Sequence, residues 1–449
     1  MFPPEPMLSW RFSWKIDGIS SLKCDFIACL SPVTTARVLG RKLFRKICAN
    51  TFLLRSVREQ DHVMRPQPFL PPTRRTVGVV GIHGFARIHL EHLLRLRDAG
   101  VIDRVLAVAH QADLDPAWVA SLQQRGVVLV QDLTELLTVE RPALVTLPVG
   151  IALHVPMAEQ ALDQGIPVYV EKPVAGSLAQ FDRLARHPQA HLVQVGFQHL
   201  ALPGVRTLAA RLQAGDFGRL RRIVVTCGWP RGDVYYHRNA WAGRVVHHGE
   251  IIRDSPANNA NAHHVNLALF LAGRPVTRVE TTLGRGNPIE SFDTCGIRAV
   301  LTDDVEVVFN ASHLGLTNLG VRIRVECDQA IIRCDDLDGQ PAWRTDTGEA
   351  FLVGGDADRQ AYAQAIDHVL TGAAPVCTLA EARPHGALIE AVHQQTIQSL
   401  AGCERRPDRW CHPGMDAALL RAHAEGCPLR FEDLEAGWCF PPADYRCSA

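Results

Sequence analysis

The sequence predicts an α/β chain: a doubly wound parallel sheet covered by helices, then an α+β region built on an open, largely antiparallel sheet. Three observations predict it. Apolar segments of strand length alternate with amphipathic helical ones from about residue 76 to residue 197, the pattern of a parallel sheet buried on both faces. Strand-like segments then succeed one another without helices between them, from about residue 276 to residue 334, which indicates antiparallel pairing. At 449 residues the chain is too long for one ordinary core and long enough for two.

Taken in order, residues 1–72 hold four of the five lysines and end in the run Pro66, Pro68, Pro71, Pro72. They predict an N-terminal extension, poorly ordered and outside the fold, with Met64 as a candidate start. Residues 73–197 follow as a nucleotide-binding domain, beginning with a short apolar strand at Val77–Val80, a glycine turn and a helix with apolar residues at spacings of three and four. Residues 198–403 form the second domain. Its strands include TRVETTLG, IRAVLT, VEVVFNAS, VRIRVEC and AIIRC, followed by helices expected over about 358–370 and 379–400. Residues 404–449 remain as a C-terminal tail.

Composition excludes several classes of function. Lys+Arg and Asp+Glu are both 47, so no basic surface for nucleic acid is expected. No stretch approaches the roughly 20 apolar residues of a membrane helix, and the first residues lack the pattern of a signal peptide. The 13 cysteines form no framework and contain no C-x-x-C pair. They point to reduced thiols in the cytoplasm. The adjacent pairs His247-His248 and His263-His264 chelate poorly, because neighbours on a helix point about 100° apart, so no metal site is expected.

Lysine usage singles out one residue. From residue 47 onward Lys172 is the sole lysine, and arginine supplies every other fixed positive charge. Arginine cannot replace a compact ammonium that must approach a reacting atom or lose its proton. Lys172 stands in Glu171-Lys172-Pro173 at the end of the strand PVYVE, and the carboxyl ends of such strands face the ligand crevice. The turn Gly81-Ile82-His83-Gly84-Phe85-Ala86 is an imperfect G-x-G-x-x-G/A, suited to a pyrophosphate at a helix N-terminus. His83 occupies the second glycine position, and Gly84 beside it supplies room. Ala109-His110-Gln111 ends the next strand, where neither the ribose-binding acid nor an arginine marks NAD or NADP.

In the loop from Trp229 to Trp241, aromatic residues alternate with hydrogen-bonding groups, as polyhydroxylated ligands require. Tyr235, Tyr236, His237, Arg238 and Trp241 are the candidate substrate contacts. Arg231 and Arg238 are equally suited to a carboxylate or phosphate.

The ordered set GIHGFARIH, TLP followed by His154, VEKP, GFQ, the Tyr-rich loop with WAG, and the helix beginning AHHVN resembles the Gfo/Idh/MocA oxidoreductases over about residues 76–400. The resemblance implies a Rossmann domain, an open-sheet second domain, and hydride transfer between NAD or NADP and a hydroxyl-bearing carbon of a sugar, inositol or related polyol. It implies that Lys172 touches substrate hydroxyl and nicotinamide, and that His263 transfers the proton. Gly81, His83, Gly84, Phe85, Ala86, His110, Pro148, His154 and Glu171 are placed at the cofactor, and His89 in packing beside it. Asn259 stands where many relatives have aspartate, and an amide orients a substrate without raising the basicity of His263. Two further readings remain: a redox-neutral NAD-dependent eliminase or glycosidase, and a ligand sensor that retains the fold without reacting. Pairing of subunits through the open sheet is a further expectation.

Overall fold

The structure is a computed structural model that describes residues 75–109, 115–334 and 342–435. The expected N-terminal extension and His110 lie outside the described residues. Six parallel strands form the first sheet: β1 (Thr76–Val80), β2 (Arg104–Val108), β3 (Val128–Val130), β4 (Leu144–Leu147), β5 (Val168–Val170) and β6 (Val193–Val195). Their spatial order is β3-β2-β1-β4-β5-β6, and every pairing is parallel. The order reverses direction between β1 and β4, which opens a crevice at the strands' carboxyl ends. Strand β1 is buried along its whole length, as helices on both faces require.

The crossover helices are α1 (Ala86–Asp98), α2 (Pro116–Gln124), α3 (Ile151–Asp163) and α4 (Leu178–Ala185). Local chemistry sets their starts. The Asp115 carboxylate accepts from the amide of Ala117 at 3.1 Å, with proline at the first helical position. Ser177 caps α4 through the amide of Gln180 at 3.3 Å.

After helix α5 (Pro203–Ala214) comes strand β7 (Leu220–Gly228), and helix α6 (Ala262–Ala272) follows. The next strands are β8 (Val276–Arg285), β9 (Thr294–Leu301), β10 (Glu306–Ser312), β11 (Gly320–Cys327), β12 (Ile331–Cys334), β13 (Ala342–Thr345) and β14 (Ala350–Leu352). Helices α7 (Ala357–Thr371) and α8 (Leu379–His393) precede strand β15 (Ile397–Ser399). The nine-stranded second sheet runs β14-β13-β12-β11-β7-β10-β9-β8-β15. It is open and largely antiparallel. Only β7–β10 and β8–β15 pair in parallel.

Strand periodicity divides this sheet into two faces. Ile223, Val225, Cys227, Val307, Phe309 and Ala311 turn one way into the main core beneath α5, α6 and α8. The opposite face carries Arg222, Thr226, Arg298, Glu306 and Asn310, alternating with them along β7, β9 and β10.

One expectation is corrected, and a second finding bears on the open sheet. The helix predicted to reach residue 400 ends at His393, because Ile397–Ser399 is drawn into the sheet beside Leu283–Arg285. The face expected to pair subunits is covered in its central part by helix α9 (Met415–Glu425) and the turn after it. The Asn310 amide donates to Cys427 O at 3.0 Å and accepts from the Leu429 amide at 2.7 Å. Met415, Leu419 and Leu429 are fully buried there. Helix α7 crosses back to the first sheet, where Ala361, Tyr362, Ala365 and Ile366 pack with Leu90, Leu93 and Leu94 of α1.

Candidate active site

The turn after β1 leaves a helix N-terminus open to a ligand. Gly81 and Gly84 adopt φ of 99° and 57°, a region that disfavours side chains bearing Cβ. The turn then tightens through Ala86 N–H to His83 O at 3.1 Å. Among the described residues, no acceptor meets the amides of His83, Gly84 and Phe85, which are the orphan donors of a helix start. His83, Gly84 and Phe85 are exposed while Ala86 is buried beneath them. This arrangement fits a pyrophosphate: the side chain of His83 stands out in solvent and leaves the backbone accessible.

Strand alternation decides what the two charged residues after β5 do. Glu171 is 3% exposed. One of its oxygens lies 3.2 Å from His89 Nε2 and 3.3 Å from Gln198 Nε2, and the other accepts from the Lys172 amide at 3.1 Å. Glu171 is therefore no cofactor contact, contrary to expectation, since both oxygens are spent inside the protein. It braces the strand end. Gly196 is required beside it, because a Cβ there would come within 2.7 Å of a Glu171 oxygen. Behind it, His89 Nδ1 lies 3.0 Å from Thr146 Oγ1 and in contact with Tyr362 OH.

His154 is buried as well, with Nδ1 2.8 Å from Pro173 O and Nε2 3.1 Å from Val149 O. Burial pushes its pKa below the usual histidine value. It ties the loop after β5 to the loop carrying Pro148 and Val149, and offers no surface to a cofactor. Pro148 itself is part-exposed at the end of β4.

Lys172 points the other way. Its ammonium donates to Asn259 O at 3.0 Å and Asn259 Oδ1 at 3.3 Å. Asn259 Nδ2 in turn donates to Asp254 Oδ1 at 2.7 Å. Asp254 is 3% exposed and accepts from Arg238 Nη2 at 3.1 Å and the Gly243 amide at 2.7 Å. Thus Asn259, which stands where many relatives have aspartate, bonds to the lysine and to Asp254. It links the lysine to a buried carboxylate five residues upstream. Burial lowers the pKa of Lys172, and Glu171 and Asp254 oppose that shift.

His263 sits on the first turn of α6, with its ring 5.9 Å from Phe197 and 5.2 Å from His199. Its Nδ1 is buried without a partner among the described residues. Burial, then the Lys172 charge, hold its pKa well below the ordinary value. Burial likewise takes His199 and His385 to about 4. These rings are neutral at pH 7, and among the described residues no cluster has the makings of a metal site.

The residues of the aromatic loop differ in their contacts. Arg238 lies 3.8 Å over the Tyr235 ring and 5.3 Å from that of Trp241. With its charge matched by Asp254, it positions the loop. Trp241 reaches the cofactor half: a Cβ on Gly150, just after β4, would lie 3.6 Å from its Nε1. Tyr236 OH bonds His313 Nδ1 at 2.8 Å, and Tyr236 and exposed His237 line a cleft of about 620 Å³. Sequence reasoning did not single out Asp254, Gln198, Thr146 or Tyr362 for these roles. Asp254 alone left a local signal, a carboxylate in the segment that holds Asn259.

Comparison with known proteins agrees with this geometry. Residues 75–199 match the profile described as oxidoreductase family, NAD-binding Rossmann fold, and residues 205–333 match the GFO/IDH/MocA C-terminal domain. The chain belongs to the Gfo/Idh/MocA oxidoreductase family. An inositol 2-dehydrogenase of Renibacterium salmoninarum is 26% identical over 204 residues, which is 45% of this chain and 56% of that protein. Among solved structures, the WlbA dehydrogenase from Bordetella pertussis, in complex with NADH and UDP-GlcNAcA, is similar with a TM-score of 0.60 at 20% identity. That likeness covers 72% of this chain and 96% of that one. The aldose-aldose oxidoreductase from Caulobacter crescentus is similar with a TM-score of 0.59 at 15% identity, over 72% of this chain and 97% of that one.

Proposed function

We propose that the protein is an NAD(P)-dependent dehydrogenase or reductase acting on a CH–OH group of a sugar, inositol or related polyol. The observation that carries the reading is the Lys172 ammonium at the end of β5, held by Asn259 in front of the buried Asp254 carboxylate. The amides of His83, Gly84 and Phe85 would hold the cofactor's pyrophosphate, and Pro148 would flank its nicotinamide end. When bound, the cofactor supplies or accepts the hydride. Lys172 polarises the substrate oxygen and stabilises alkoxide charge as the carbon–hydrogen bond breaks. His263, neutral at pH 7, takes the hydroxyl proton. Tyr235, Tyr236, His237 and Trp241 supply flat faces and donors for a polyhydroxylated ring. The relatives named for inositol and aldose substrates support this class of ligand.

Lys172→Met tests the proposal. The variant is expected to bind NAD⁺ or NADP⁺ but to lose turnover with polyol substrates, and Lys172→Arg is expected to fail equally. Near-normal turnover by either sinks the assignment. A ligand sensor that no longer reacts is favoured by the unpartnered, weakly basic His263. Fluorescence titration with both oxidised and both reduced cofactors separates the two readings, because a protein that binds none of them is no dehydrogenase.

A further inference from the structure

Arg231 and Arg409 line one open cleft of about 440 Å³, together with Trp229, Pro230, Leu316 and Asn318. Arg231 comes from the aromatic loop. Arg409 comes from the C-terminal segment, beyond the residues matched to the family. That segment is docked firmly: the Asp233 amide donates to Asp408 O at 2.8 Å, Arg405 pairs with Asp233 at 2.6 Å, and a Cβ on Gly232 would meet Asp408 O at 2.7 Å. The Arg231 guanidinium lies 5.4 Å from the Trp229 ring and 5.0 Å from the Tyr235 ring. Arg409 Nη2 donates to Leu316 O at 3.2 Å.

What these two arginines share is one cleft, a buried Nε with no acceptor, and no anionic partner among the described residues. Three nearby carboxylates are already taken: Asp233 by Arg405, Asp254 by Arg238, and Asp416 by the amides of Leu316 and Thr317. Among the described residues neither Arg231 nor Arg409 pairs with a carboxylate, and the Nε of each is buried without an acceptor. Two unmet guanidinium donors in one cleft are costly unless an acceptor arrives. Arginine forks match the oxygens of a phosphoryl or carboxylate group.

We infer that this cleft is a binding subsite for an oxyanion, a phosphoryl or carboxylate group carried by the substrate away from its reacting carbon. The link to substrate rests on the dehydrogenase reading, whereas the oxyanion site does not. Lys172 and Arg231 are connected through Asn259, Asp254, Arg238 and Tyr235, which puts the oxyanion subsite on the same contact network as the lysine.

The test is calorimetric titration of the full chain with inorganic pyrophosphate and, in a second arm, malonate. Whichever of the two binds more tightly names the group. Arg231→Gln and Arg409→Gln are each expected to weaken that probe roughly tenfold or more, and the double variant to abolish binding. Exposed Arg359, on α7, serves as the charge control, and Arg359→Gln is expected to bind as the parent does. Arg231→Lys, which keeps charge without the fork, should fall between parent and Arg231→Gln, and it substitutes for that variant should the glutamine misfold. The inference is overturned if the parent binds neither probe, or if both glutamine variants bind unchanged. Lys172→Met separates the two proposals: it should bind the probe normally, and normal turnover by it would remove the dehydrogenase reading while leaving the subsite intact.

Discussion

Replacing Asp254 with asparagine should lower the pH at which Lys172 titrates and cripple turnover. One Asp254 oxygen accepts from Asn259, and the other accepts from Gly243 and Arg238. An asparagine must set its NH₂ against one of these donors in either orientation, leaving a buried donor unmet at a cost of about 1–3 kcal/mol. The charge effect acts on the lysine through the intervening amide. Lys172 Nζ lies 3.3 Å from Asn259 Oδ1, and Asn259 Nδ2 lies 2.7 Å from the carboxylate, which sets the two charges roughly 8 Å apart. Coulomb attraction over that distance, at an effective dielectric constant of about 20, is on the order of 2 kcal/mol. The loss disfavours the ammonium, and the Arg238 charge left without its partner acts in the same direction. Reductive ¹³C-methylation followed by NMR titration measures the effect directly, since only four other lysines share the spectrum. If the carboxylate's contribution is used in the transition state, kcat/KM falls by roughly ten- to a hundredfold. A Lys172 titration that stays put or moves to higher pH in Asp254→Asn refutes the linkage.

Other outcomes follow from the same geometry. Gly176→Ala should destabilise the fold by roughly 3 kcal/mol or more, because its Cβ would lie 1.7 Å from Ile251 O, a backbone atom; an unchanged thermal midpoint would contradict this packing. Arg253 holds Glu390 with contacts of 2.5 and 2.8 Å, and the bond depresses the Glu390 pKa to about 2. Its stabilisation is complete above the unfolded value near 4.5 and disappears as pH falls towards 2. Glu390→Gln should therefore cost on the order of 2 kcal/mol at neutral pH after solvent screening and almost nothing near pH 2, as read by denaturant melts at both. Truncation after Gly402 uncovers Leu314 and the central face of the second sheet, so light scattering should show association at concentrations where the parent stays dispersed. With the His263 pKa held well below 6.5, the rate of alcohol oxidation should not drop between pH 8 and 7 through protonation of that ring. A pH–rate profile with an inflection there would assign the proton to another group.

Much of the fold could be read because its signals are local. The buried strands of the first sheet are continuous apolar runs, and Lys172 stood out by composition beside a strand-end proline. Alternation along a strand also allows only one of Glu171 and Lys172 to face the crevice, a distinction the resemblance alone blurred. What stayed hidden depends on distant partners. Nothing near His89 announces Tyr362, and nothing near Arg238 says that its charge is consumed by Asp254 while that of Arg231 is not. The three-residue strand Ile397–Ser399 gains its conformation from Leu283–Arg285 rather than from its own sequence, so helical periodicity ran past the true end at His393.

Helix α7 has a consequence for biosynthesis. Strands β1 to β6 are encoded contiguously, yet the hydrophobic layer over α1 is completed by Tyr362 and Ile366, and the Thr146–Tyr362 contact at 3.2 Å joins residues 216 positions apart. A nascent chain that has released only its nucleotide-binding half exposes that apolar strip until α7 leaves the ribosome. Such contacts of long sequence separation slow folding and extend the interval in which an intermediate aggregates. Chaperone dependence during synthesis is the expected consequence for this chain.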